Sequence, residues 1–243
     1  MQVKDGKIVE YMVKALAIEF IPTTQPCTKL VTKFGGQPVW LTEAQWPLSV
    51  STEEPMKFIG QIVFDETIFP QMAGKVAYLF ITENDGDVDL YVDRTYEPDG
   101  GENAVIIQPS LIEPSVKTSR IFYGPTLYEK VLLPGRVYES KKDCEFITDL
   151  KGIDDPKLEA DETLSKWTDE QVTAYEARLA GNKLGGTPAF IQGVQYPNDE
   201  DTWQLALQFG SMEVPFYLDL GGGMVYIFIN KAGTLGKMLS QCT

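Results

Sequence analysis

The chain is patterned as short, nearly continuous apolar runs separated by Gly, Pro and acidic turns. "MKFIGQIVF" (56–64), "KVAYLFIT" (75–82) and "AVIIQPSLI" (104–112) stand in the first part, with "LALQFGS" (205–211) and "MVYIFI" (224–229) near the end. These runs are strand-length and rich in β-branched and aromatic residues. A run that is apolar at successive positions predicts a strand buried on both faces. "ALAIEFIP" (15–22) reads as a further strand stopped by Pro22. Helical spacing is confined to two segments. Residues 5–14 place Ile8 and Met12 on one face. Residues 168–180 carry a stronger signature: Thr168 and Gln171 form a capping-box pair, Asp169 and Glu170 sit at the positive end of the dipole, Val172, Tyr175 and Leu179 make an apolar stripe, and Gly181 ends it. Residues 118–150 read as irregular structure with short strands, and "VDLYV" (88–92) as a short strand between acidic turns. The expected fold class is α+β, mainly β, with few helices.

Several landmarks occur twice in the same order. Lys33-Phe34-Gly35-Gly36-Gln37-Pro38 is answered by Lys183-Leu184-Gly185-Gly186-Thr187-Pro188, and Trp46-Pro47 by Tyr196-Pro197 at the same offset of 150. The strand around Gln61 is answered by the strand around Gln208. Residues 74–82 are answered by 222–230, aligning Tyr78 with Tyr226 and Phe80 with Phe228. Such an ordered set predicts an internal duplication. A few strands cannot bury a core alone, so the expectation is a single domain, 1–243, of two related β-units (about 1–150 and 151–243) packed with pseudo-twofold symmetry. Residues 83–150 would be an insert decorating one side, and the helix at 168–180 would cover a sheet face. The charged connector "DDPKLEADE" marks the seam.

Lys-Φ-Gly-Gly-x-Pro (Φ apolar), then Trp-Pro, then an apolar strand with a central Gln before Ile, then a Gly-led aromatic strand, together resemble the YwqG-like family of uncharacterised bacterial proteins. The likeness runs from about Leu30 to the C-terminus. It implies a cytosolic α+β protein with an internal duplication. It implies no established reaction, cofactor or catalytic residue.

Charge and composition narrow the chemistry. The net charge is −14, which disfavours nucleic acid and anionic membranes and favours a basic protein partner. There is no histidine, which removes His-dependent nucleophile activation, His general bases and His metal ligands together. Cys27, Cys144 and Cys242 are odd in number and far apart, so they form neither a disulfide framework nor a metal-ligand spacing. The N-terminal residues are charged throughout without an apolar h-region, and the apolar runs are too short to span a bilayer, so the expected location is cytoplasmic.

The candidate motifs mostly reduce to backbone geometry. Gly35-Gly36 and Gly185-Gly186 lack the Gly-Lys-Ser/Thr of a phosphate loop and read as turns. "DGDVD" (85–89) begins like a calcium loop, but Leu90 stands where the loop needs Gly, and it reads as an acidic turn. "GGG" (221–223) precedes a strand rather than a helix. That leaves Gln61 and Gln208, amides set mid-strand among apolar neighbours, and the aromatics Trp40, Trp46 and Tyr196. The glutamines read either as structural hydrogen bonds or as groups facing a shared central groove; the aromatics read as satellite core or as interface anchors. No catalytic residue, metal ligand or cofactor is expected. Two classes remain: a non-enzymatic, protein-binding module of the immunity or antitoxin kind that covers a basic effector, and a small-molecule binder or His-independent enzyme with its site between the two repeats.

Overall fold

The computed structural model describes residues 2–4, 7–9, 12–82, 92–132, 139–218 and 222–242. Its strands are β1 (Gln2–Lys4), β2 (Lys7–Val9), β3 (Met12–Pro22), β4 (Lys33–Gly35), β5 (Trp46–Pro47), β6 (Lys57–Val63), β7 (Val76–Ile81), β8 (Asn103–Gln108), β9 (Thr118–Ser119), β10 (Tyr128–Leu132), β11 (Glu139–Asp143), β12 (Glu145–Pro156), β13 (Lys183–Gly185), β14 (Trp203–Gly210), β15 (Met224–Asn230) and β16 (Gly236–Gln241). The α-helices among the described residues are α1 (Asp161–Leu164) and α2 (Asp169–Leu179). The fold is mainly β, with few helices.

Ten strands form one antiparallel sheet in the order β16-β15-β14-β13-β3-β12-β4-β6-β7-β8. Its two end strands return to each other: a Cβ added at Gly236 on β16 would stand 2.3 Å from Val105 on β8. Lys237 Nζ beside it reaches the carboxylate of Asp99. The sheet is therefore nearly closed, which protects edges that would otherwise template pairing with other chains.

Period-2 alternation explains why the central strands look apolar throughout. On β7, Ala77, Leu79 and Ile81 enter the main core, while Val76, Tyr78 and Phe80 enter a second cluster on the opposite face with Trp46 and Phe58. On β15, Val225, Ile227 and Ile229 join that same main core, while Tyr226 and Phe228 form a third cluster with Trp203 and Leu239. The main core thus unites strands from both ends of the sheet, and each flank carries its own aromatic cluster.

Three expectations change. Residues 7–9 and 12–14 are strand rather than helix. The Ile8/Met12 spacing has no cap to hold it as a helix. β12 offers β3 a partner along its whole length, from Phe146 opposite Pro22 to Pro156 opposite Met12, so non-local pairing overrides a weak local preference. Residues 83–150 are not a lateral decoration. β8 belongs to the main sheet, and β12 lies at its centre between β3 and β4. β12 escaped the pattern because its exposed positions carry Asp149, Lys151 and Asp154 rather than an apolar run. Residue 150, placed near the seam, falls inside this continuous strand. The segments "VDLYV" and "DGDVD" lie largely or wholly outside the described residues. The helix at 168–180 forms with its capping box intact: the Thr168 hydroxyl accepts from Gln171 N–H, and Gln171 Oε1 accepts from Thr168 N–H at 2.9 Å.

Candidate functional site

The Gly-Gly-x-Pro loops come first, because they carry both flanks. Lys33 and Lys183 are almost wholly buried, and each donates to a carboxylate at 2.5 Å: Lys33 to Glu145 and Lys183 to Asp155. Each ammonium also donates to a backbone carbonyl, of Cys27 and Leu179 respectively. Burial pushes the Lys183 pKa down, and the bond to Asp155 opposes that shift. The glycines follow from the same pairs. Gly36 and Gly186 have φ of 62° and 79°, and a Cβ at either would lie within 2.3 Å of the Glu145 or Asp155 carboxylate. The loop therefore needs glycine for both its backbone and its packing.

The two glutamines complete each loop. Gln61 Oε1 accepts from Val39 N–H and its amide donates to Val31 O; Gln208 Oε1 accepts from Ala189 N–H and its amide donates to Leu179 O and Gly181 O. Tyr78 and Tyr226 donate to the carbonyls of Val39 and Ala189. Burial raises both phenol pKa values, that of Tyr78 to about 12. Gln108 binds the backbone of Thr42 and Glu43 and the side chain of Gln45. Gln241 binds the backbone of Gln192 and Gly193 and the side chain of Gln195. The loop partners in the two sets stand 150 positions apart, except that Gln208 also donates to Leu179 O and Gln241 also accepts from Ile191 N–H, where Leu41 N–H donates to Tyr78 instead. These amides are thus consumed by their own loops. Gln61 on β6 and Gln208 on β14 are separated in the sheet order by β13, β3, β12 and β4.

The aromatic residues match in the same way. Trp40 packs on Tyr78 and Phe80 with centroids at 4.6 and 6.1 Å, and Phe190 packs on Tyr226 and Phe228 at 5.3 and 6.3 Å. Trp46 meets Phe80 at 5.3 Å and 63°, and Tyr196 meets Phe228 at 5.4 Å and 61°. Trp46 is wholly buried, and its indole N–H donates to Met56 O at 2.7 Å. The Trp40 indole nitrogen is buried without a hydrogen-bond partner.

The flanks differ in cover. Residues 116–126 lie over the first: Val116 is buried in its cluster, Ile121 packs against it, and Gln37 exchanges two 3.0 Å hydrogen bonds with Gly124. The second is open. Val194 is 55% exposed where its counterpart Ala44 is 3%, and Tyr196 is 37% exposed where Trp46 is 0%. Beside this open surface a groove of about 490 Å³ runs between α2 and the loop 188–194. Phe190, Ile191 and Val194 supply apolar surface, and Glu159, Asp161, Glu176 and Glu213 supply carboxylates; among the described residues no Lys or Arg lines it. Helix α2 is held there by Tyr175, whose hydroxyl donates to Lys157 O and accepts from Glu159 N–H.

Residues 32–235 match the family model described as a domain of unknown function, DUF1963. The chain belongs to that family. No curated protein matches it. The matched DUF1963 region spans both Gly-Gly-x-Pro loops and all of the groove's described lining.

Of the five residues singled out by sequence, Gln61, Gln208 and Trp46 are buried, Trp40 is partly buried, and Tyr196 alone lies on the open face. Ile191, Val194, Glu176 and Glu213 were missed. A loop aliphatic or a helix carboxylate carries no signal until the fold sets them side by side. The buried lysines could have been found, because a Lys repeated inside an apolar motif demands a partner acid.

Proposed function

We propose that this chain is a non-enzymatic protein-binding module that takes a cationic segment of a partner protein in the groove between α2 and the loop 188–194. The carrying observation is the lining itself: carboxylates around an apolar floor, with no basic side chain among the described residues. The net charge of −14 extends the same preference over the surface. Magnitudes divide the work. Exposed ion pairs contribute about 0.2–1 kcal/mol each, so four carboxylates fall well short of the roughly 8 kcal/mol of a micromolar complex. The apolar floor must supply most of the affinity, at about 25 cal/mol per Å² buried, while the carboxylates steer approach and reject acidic partners. A partner of this kind suits an immunity or antitoxin protein that covers a basic effector. We further propose that the matched interactions, with loop members 150 positions apart, reflect two copies of one β-unit, and that the chain is YwqG-like within its family.

The test is capture from the native cell with the wild-type chain and with Glu176→Lys/Glu213→Lys, two exposed positions whose change leaves the core intact. The expected result is a stoichiometric complex with a basic protein, weakened by salt and lost in the charge-reversed variant. Capture unaffected by the charge reversal, or no protein partner together with a small molecule that raises the melting temperature, would contradict the reading.

A further inference from the structure

The clearest asymmetry in the molecule lies outside the Gly-Gly-x-Pro loops, where one flank is covered and the other is not. On the covered flank the cover is an extended strand. β9 pairs antiparallel with β5, setting Ser119 opposite Trp46 and Thr118 opposite Pro47. Leu48 N–H donates to Lys117 O at 2.9 Å, extending that pairing, and the far end of the segment is tied to β6, where Phe58 N–H donates to Pro125 O at 2.9 Å. Gly124 lies flat on the Trp46 indole, where an added Cβ would come within 2.7 Å of the ring. Arg120 meets Glu43 at 2.9 Å. The covering segment 116–126, "VKTSRIFYGPT", contains two cations and no acid.

On the other flank the aromatic platform has the same arrangement, and among the described residues no strand covers it. Tyr196 holds the Trp46 position against Phe228 with nearly the same distance and angle. Pro197 answers Pro47, yet among the described residues Tyr196–Pro197 pairs with no strand. Val194 and Tyr196 are exposed where Ala44 and Trp46 are buried, and on the first flank Gly124 of the covering segment lies against Trp46. Asp199, Glu200 and Asp201 follow on the same loop, all exposed.

We infer that the Tyr196–Pro197 edge receives an extended, cationic segment of a partner protein, laid as the chain's own residues 116–126 lie on Trp46–Pro47. This rests on the reading above, that the chain binds a basic protein, and adds how the partner sits. The segment adds backbone hydrogen bonds to an open edge, which gives affinity with little demand on sequence. It places an aliphatic side chain over Val194, a small residue on the Tyr196 ring, and Lys or Arg toward Asp199–Asp201.

The probe is a synthetic peptide of residues 115–126, SVKTSRIFYGPT, titrated against the full-length chain by fluorescence anisotropy. Saturable binding is expected, weakened about tenfold or more by Val194→Asp and by replacing both peptide cations with Glu. Backbone amide exchange at Asn198, the counterpart of Leu48, should slow when the peptide is bound. Val194 is exposed, so the variant retains the fold, and a thermal melt verifies this. No saturable binding by the wild type, or binding indifferent to Val194→Asp, overturns the inference. So does a concentration-dependent dimer abolished by Val194→Asp, which would assign the face to a second copy of the chain. If the peptide fails while Glu176→Lys/Glu213→Lys still loses the captured partner, the binding function stands and only this mode of seating falls.

Discussion

At the scale of single residues, burial decides what the ionisable groups can do. The Cys144 thiol is pushed from its ordinary 9.0 up to about 12, chiefly by desolvation, with the negative charges of Glu129 and Asp143 adding to it. Above pH 9 the thiol ionises in the unfolded chain while the folded chain keeps its proton. The folded state then binds more protons, and stability falls as pH rises through the window between 9.0 and about 12. Cys144→Ala should flatten that part of the pH–stability profile measured by urea unfolding; an unchanged slope would show that the thiol does not titrate differently in the two states. Tyr78, also raised to about 12, contributes a fall in the same direction that begins near its ordinary value of 10.0. The absence of histidine was legible as an exclusion of chemistry. The partners of the buried lysines were not, since Glu145 and Asp155 are distant in sequence from Lys33 and closer to Lys183 only across α1 and α2.

At the scale of elements, the Gly-Gly-x-Pro loops owe their shape to side chains on the strands beneath them. Gln208 on β14 satisfies one loop N–H and two carbonyls at once. Gln208→Leu would leave these groups without the amide, at about 1–3 kcal/mol for each that stays buried and unsatisfied. Leu179 O keeps its bond from Lys183 Nζ, so two groups lose their partner and the expected loss is roughly 2–6 kcal/mol of unfolding free energy by urea titration, with partner binding retained wherever the variant is folded. Full stability with lost binding would instead make Gln208 a ligand contact. The strands themselves were legible where both faces are apolar, as on β7 and β15. β12 was not legible at its full length, because one side faces solvent and its ends are defined by pairing with β3 rather than by its own sequence. α2 was legible because its capping box is a local signal, complete within a few residues.

At the scale of the whole molecule, a nearly closed sheet unites both parts of the chain around one core and leaves two aromatic flanks outside it. The sequence showed the recurrence of the flanks' landmarks but not their difference. That difference comes from where the segment 116–126 folds back, a long-range event without a local signature. Gln61, Gln208, Trp40 and Trp46 attracted notice because they recur or stand out chemically, and the fold spends them on holding loops and filling clusters. Tyr196 is the member of that set left on the surface, and the function proposed here is built around its neighbours.

The most direct measurement is site-specific photo-crosslinking in the native cell, with a photoreactive side chain at position 194 and a control at Val50, which is 64% exposed in the other part of the chain. Adducts with one basic protein at position 194, absent from position 50, are what the account predicts. No adduct at position 194, or the same adducts at both positions, would contradict it.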